Sequence, residues 1–296
     1  MATNGSNEDE QAAIMARLVA LRPALHRYAA RMVGSSLDGE DVVQEAIASA
    51  VAALDRMPPE GDAAPWLFRI THNAAVDFLR RRKRFSAERE VMEDDLVSGE
   101  DEASRTLATR VAMAVFMRLP PSQRGTVILK DVLGYSNEEV AGILGSTVAA
   151  GKAALHRGRA RLREYAHEIP AAPWFEADEM ARLQHYVDRF NARDFDAIRS
   201  MLADDVRFDL VARQQGGKAS FENYFTRYGE RTTWLLSVGW LDGRLAAIVT
   251  DRADPSAVPA NAIVVDWRGG RIVRLRDFHH APYALEGAAM AILRRP

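Results

Sequence analysis

Cysteine is absent from all 296 residues, which excludes a disulfide framework, a thiolate zinc site and thiol catalysis. Long apolar runs are absent too. None approaches the roughly 18 residues of a membrane span, and the polar, acidic opening MATNGSNEDEQ does not read as a secretory leader. A large excess of one charge is also missing: 39 Lys and Arg stand against 41 Asp and Glu, which argues against a wholly basic nucleic-acid coat. No metal or cofactor requirement is legible, and a cytoplasmic, membrane-free protein is the expectation. The charge that is present is segregated, so local runs carry more information than the sum.

Up to about residue 168 the apolar periodicity is helical. Ile14, Leu18, Leu21, Leu25, Tyr28 and Met32 form one stripe, in which Pro23 is expected to kink or split the helix. After the break at 34–36, Asp38 is expected to cap a helix running to Leu54. MPPEG (57–61) reads as a stiff loop, and Asp62 caps a long helix ending in RRRKR (80–84). Residues 85–106 carry eight acids and two arginines with almost no periodicity, and read as a tether. Helical pattern resumes at about 107–118 and again after LPP, and Ser136 and Glu139 have capping-box spacing. Beyond the Pro/Ala stretch 169–174, one amphipathic helix (about 178–192) leads into alternating segments at 205–212, 233–240, 244–251, 261–267 and 271–279, with DG (242–243), GG (269–270) and Pro turns between. The expected organisation is a tail over 1–10, helical domains over 11–84 and 107–168 joined by 85–106, a linker over 169–177, and an α+β cone-shaped domain over 178–296.

Residues 147–164 form the most informative stretch. On a helix, Val148, Gly151, Leu155, Gly158, Leu162 and Tyr165 share a stripe that can pack on the preceding helix, with the glycines permitting close approach. Lys152, His156, Arg159 and Arg163 line another edge, with Arg157 beside them. Gly145 closes the helix before, leaving a turn of about three residues, which is helix-turn-helix geometry. Ser146, Thr147, Ala149 and Ala150 are small enough to meet base edges while the cations bind phosphate. An isolated basic helix is more often a solvated face. The capped partner, the tight turn and the lack of acids tip the reading to DNA.

Helix 63–84 offers a second array. Trp66, Arg69, Asn73, Asp77, Arg80 and Arg84 share one face, next to Arg81, and Leu67, Ile70, Ala74 and Phe78 share the opposite one. Cations interleaved with an aromatic suit unstacked bases, although a lone Trp66 is more often core. On helix 39–54, Asp41, Gln44 and Glu45 share an acidic face, either solvated or turned to a basic partner.

DGEDVVQEA, APWLFRITHNAAVDFLRRRKR, LPPSQRGTVILKDVLGYSNEEVAGILG and ALHRGRARLRE, in this order, resemble regions 2 and 4 of sigma factors of the extracytoplasmic-function (ECF) group, over about residues 11–165. The resemblance implies a transcription initiation factor. Asp41, Gln44 and Glu45 would hold core RNA polymerase. Trp66, Arg69, Asn73, Asp77, Arg80, Arg81 and Arg84 would meet the −10 element, with loop 57–64 capturing a non-template base. Ser146, Thr147, Ala149, Ala150, Lys152, His156, Arg157 and Arg159 would read the −35 element, and the acidic segment would thread near the polymerase active centre. The run VAAGKAAL departs from the family pattern, and Gly151 weakens the helix by roughly 1 kcal/mol.

YVDRFNARDFDAIRSMLADDVRFDL, the GGKA turn and RIVRLRDFHHAPY resemble the SnoaL-like branch of the fold shared with nuclear transport factor 2. This implies a tail that modulates sigma activity, through a small-molecule ligand or an intramolecular contact, in place of or beside an anti-sigma protein. Asp209, Asp251, Asp266, Asp277, His279 and Tyr283 are the acid–base candidates by type, but no spacing singles out a pair. Trp234, Trp240 and Trp267 are expected in the core or on a pocket wall. His279 and His280, if on a strand, would face opposite ways. The competing reading is a helix-turn-helix regulator with a ligand-binding or isomerase-like tail and no polymerase role. A SnoaL-type enzyme with an inert helical front ranks last.

Overall fold

A computed structural model describes residues 4–57, 63–86, 113–165, 173–253, 259 and 261–293. They form two compact units, one helical up to residue 165 and one α+β from residue 173.

The helical unit begins with α1 (Asn4–Val33), α2 (Ser36–Ala52), a 3-10 turn (Leu54–Arg56) and α3 (Ala63–Ser86). Three local expectations are corrected here. The helix starts at Asn4, inside the stretch read as a tail, because Glu8, Glu10, Gln11 and the alanines after them favour helix. Pro23 does not split α1. Its cost of roughly 3 kcal/mol is outweighed by burial of Leu18, Leu25, Tyr28 and Met32, each contributing about 1.5–3 kcal/mol. The cap of α2 is Ser35, whose hydroxyl accepts from Asp38 N at 3.2 Å, so Asp38 lies within the helix.

The chain continues through α4 (113–117), α5 (Pro121–Val127), a π turn (Ile128–Val132), α6 (Asn137–Leu144) and α7 (Val148–Tyr165). The two expected helical domains share one core: Ile128, Leu129, Val140 and Ile143 pack among the buried side chains of α1, α2 and α3. Arg124, 3% exposed, reaches across and donates to the carbonyls of Met32, Met117 and Leu119. The segment expected as a tether lies mostly outside the described residues.

Two histidines sit in this core, His26 buried and His72 half-buried. His26 is 2% exposed and its ring bonds Ser36 O at 2.9 Å. The His72 ring shares a hydrogen bond with the Tyr28 hydroxyl at 2.7 Å. Burial holds both imidazoles down at a pKa of about 4. Each ring is therefore neutral when folded but titrates near 6.5 when unfolded, so the unfolded chain binds more protons between these values. Stability is full above pH 6.5 and is lost as pH falls toward 4. His26 alone should cost about 2 kcal/mol between pH 7 and pH 5. Thermal melts should show this drop, and His26→Gln should remove roughly half of the combined pH dependence, leaving the share that His72 carries.

The second unit has the expected α+β architecture. Helices α8 (Ala177–Asn191), α9 (Phe195–Met201) and α10 (Ser220–Glu230) accompany a seven-stranded sheet ordered β2-β1-β6-β5-β4-β3-β7. Its strands are β1 (Leu202–Leu210), β2 (Gln214–Gly216), β3 (Trp234–Leu241), β4 (Arg244–Asp251), β5 (Asn261–Arg268), β6 (Arg271–Asp277) and β7 (Met290–Ile292), with a short α11 (Pro282–Leu285) before the last. Pairing is antiparallel except between β1 and β6. The expected turns at Asp242–Gly243 and Gly269–Gly270 have the paired positive φ of two-residue hairpins. Phe190, Phe208, Phe221, Tyr224 and Phe225 fill the space between helices and sheet.

Candidate functional site

The helix-turn-helix forms as expected. Ser136 and Glu139 make the full capping box on α6, and Gly145 ends it at φ 61°. Residues 145–147 make the turn, and the Thr147 hydroxyl accepts from Ala150 N at 3.1 Å. Gly151, Ala154, Leu155 and Gly158 face inward. Gly158 does permit close approach, since a Cβ there would lie 2.8 Å from Val127 Cγ2. Gly151 does not, because a Cβ there would meet nothing within 4 Å. The close approach is to α5, which crosses α7 at Gly158.

Ser146, Thr147, Ala149, Ala150, Lys152, His156, Arg157 and Arg159 are all exposed. Lys130 from the π turn joins Lys152, His156, Arg159 and Arg163 around one basic cleft. The local run lacks acids, yet the fold supplies one: Asp131 grips Arg159 through both oxygens, at 2.9 and 2.5 Å. Nothing in the sequence near Arg159 announced that partner, which comes from the turn 28 residues earlier.

On α3, Arg69, Asn73, Asp77, Arg80, Arg81 and Arg84 are exposed. Trp66 is half-buried against the core, so it belongs partly to packing. Arg69 donates to Gly142 O of α6 at 2.9 Å, so this cation already ties the helix-turn-helix to α3. Asp77 pairs with Arg80 at 3.1 Å. Arg81 pairs with Glu45 of α2 through two bonds, at 2.8 and 3.3 Å, which joins the α3 cations to the acidic face. Such exposed pairs contribute about 0–1 kcal/mol and do not lock the arginines away from phosphate. On α2, Glu45 is exposed and Asp41 and Gln44 are half-exposed, while Val42, Val43, Ala46 and Ala50 are buried. Most of loop 57–64 lies outside the described residues.

In the α+β unit only Asp277 and His279 of the acid–base candidates line the main cavity. Asp277 is fully buried and accepts three bonds: from the Tyr228 hydroxyl, from Asn261 Nδ2 at 2.8 Å and from His279 N at 2.8 Å. Asp209 lies by Arg274 at 3.4 Å and Asp266 by Arg244 at 2.7 Å, while Asp251 accepts from Ala253 N. His279 and His280 do not face opposite ways; their rings lie 4.7 Å apart on the same cavity. They follow the end of β6 at Asp277, so strand alternation no longer applies. Trp234 lines this cavity, Trp240 is core and Trp267 borders another groove. Sequence reasoning missed Arg213, Arg227 and Arg231 at the cavity mouth, although the i, i+4 spacing of Arg227 and Arg231 hinted at a shared face.

The Sigma-70 region 2 family matches residues 18–85 and the Sigma-70 region 4 family matches residues 110–162. The chain is 34% identical to the ECF RNA polymerase sigma factor SigE of Mycolicibacterium smegmatis over 48% of its length, and spans 56% of that protein. It is 31% identical to the RNA polymerase sigma factor CarQ of Myxococcus xanthus over 50% of its length, covering 85% of CarQ. With the ECF RNA polymerase sigma factor SigG of Mycobacterium tuberculosis it shares 25% identity over 87% of this chain and 78% of that one, so the similarity runs on into the α+β unit. With both sigma regions matched in order, and most of CarQ covered, the chain belongs to the extracytoplasmic-function sigma factors of RNA polymerase.

Proposed function

We propose that the chain directs core RNA polymerase to a two-part promoter, with α2 as the polymerase-facing surface, α3 as the −10 surface and α7 as the −35 surface. The observation that carries this reading is the simultaneous exposure of two separate cationic arrays, on α3 and α7, beside an acidic face on α2. Asp41, Gln44 and Glu45 contact the polymerase. Asn73, Arg80, Arg81 and Arg84 contact the −10 region, with Arg69 joining once its bond to Gly142 O opens. Ser146 and Thr147 approach bases, and Lys152, His156, Arg157 and Arg159 take phosphates. Alanines at 149 and 150 offer methyl contact only, so the −35 reading leans on phosphate and groove shape.

The α+β unit acts as a non-catalytic modulator. The three bonds to Asp277 support this, because they occupy most of the lone pairs a general base would use. No helix among the described residues is long and apolar enough to cross a membrane; the site of action is that of the polymerase. Reconstituted initiation on a genomic promoter library, with full-length and tail-less protein, tests the whole reading. Specific transcripts that change when the tail is removed support it, and absence of polymerase binding overturns it.

DNA binding should be steeply salt-dependent. Lys152→Ala with Arg157→Ala should lower the slope of log K against log salt by about two, near one for each phosphate that is no longer neutralised. An unchanged slope in titrations across ionic strengths would remove both residues from the interface.

A further inference from the structure

The α+β unit encloses a cavity of about 680 Å³, in the size range of drug-like ligand sites. Its polarity is graded from mouth to floor. Arg213, Arg227 and Arg231 stand exposed at the mouth, whereas Tyr228 and Asp277 are buried at the floor. Between them lie aromatic walls: Phe208 and Tyr224, with ring centroids 4.8 Å apart, and Trp234 facing His279 at 4.9 Å.

The cations are presented rather than neutralised. Arg213 donates to His280 Nε2 at 3.1 Å, a bond that requires that nitrogen to be unprotonated. Burial lowers the pKa of both His279 and His280, in keeping with neutral rings. Arg231 lies over the Trp234 ring at 4.5 Å, a cation–π contact that fixes its position without consuming its charge. Asp251, which attracts Arg231 electrostatically without a direct ion pair, accepts from Ala253 N. Among the described residues Arg227 makes no ion pair or hydrogen bond. Glu230 shares the rim and Asp277 closes the floor, so three guanidinium groups face two carboxylates.

We propose that this cavity binds a planar aromatic monoanion, its ring between the aromatic walls and its carboxylate at the Arg213–Arg227–Arg231 mouth. The two oxygens of a carboxylate offer about four lone-pair sites, so one carboxylate can accept from more than one of these guanidinium forks. The two acids disfavour a more highly charged guest, and the walls select a flat apolar body. The site deepens the modulator reading of the tail, but binding is independent of it.

Calorimetric titration of the full chain with 2-naphthoate, 2-naphthamide and acetate tests the site. Naphthoate should bind saturably at one site, the amide at least about tenfold more weakly because it lacks the charge, and acetate without detectable heat because it lacks the ring. The exposed pair Arg227→Gln and Arg231→Gln should bring naphthoate down to the level of the amide, with circular dichroism confirming the fold. No saturable naphthoate binding, equal affinity for the amide, or an unchanged double variant would each overturn the proposal. Adding naphthoate to the promoter assay separates the two readings. Binding without any change in initiation would leave the site standing and count against the modulator role.

Discussion

Reversing the charge of Asp41 and Glu45 together should abolish capture of core RNA polymerase, with a loss of at least about a hundredfold in affinity. The size follows from electrostatics at a contact. Placing like charges against each other costs several kcal/mol, and a hundredfold is about 2.7 kcal/mol. Both residues lie on the solvent side of α2, whose other side is filled by Val42, Val43, Ala46 and Ala50. The substitutions should therefore leave the fold intact. Glu45 needs a control, because its reversal also repels Arg81. Arg81→Gln breaks the same pair while keeping the acid, so it should retain polymerase and weaken only the −10 contact. Anisotropy titrations of labelled protein with core polymerase at fixed salt would measure this. Undiminished binding of the doubly reversed protein would remove the polymerase role of α2, and would revive a helix-turn-helix regulator working alone.

Arg124→Met should cost the helical unit roughly 3–5 kcal/mol, by the logic of a broken buried network. The guanidinium serves three backbone carbonyls from two separate stretches, Met32 O of α1 and Met117 O and Leu119 O around α4. Methionine fills similar volume but donates nothing, so each buried carbonyl keeps its desolvation penalty of about 1–3 kcal/mol. Burial lowers the guanidinium pKa to about 10, which still leaves it charged at neutral pH. At about 2–4 °C per kcal/mol for a unit of this size, the melting temperature should fall by roughly 6–20 °C. Arg124→Lys should recover little, since a single ammonium lacks the planar fork that spans diverging acceptors. A melting temperature within a degree or two of the parent would mean that the two helical modules do not depend on this bridge.

Much of the local architecture was legible because it is written in short spacings. The Ser136–Glu139 box, the αL glycine at 145 and the hairpin turns at 242–243 and 269–270 each need only three or four neighbouring residues to be recognised. The two cationic faces followed from a 3.6-residue period. Misreadings arose where a local signal met a distant force. Pro23 was outweighed by a core assembled from later helices. For His279 and His280, the strand alternation that would separate the rings stops at Asp277.

Sequence alone determined that this chain carries two helical modules with cationic faces and a different α+β tail, and that it resembles the ECF sigma factors. Periodicity and motif order are properties of neighbours along the chain, and they survive without knowledge of the fold. Only the tertiary structure decided that the two modules share a core, with Arg124 and Arg69 clasped across the join. It also decided that Asp131 holds Arg159, and that Arg213 meets the Arg227–Arg231 pair at one aromatic cavity. Those pairings join residues far apart in sequence, and no local pattern encodes which distant surface will complete a buried face or a ring of charge.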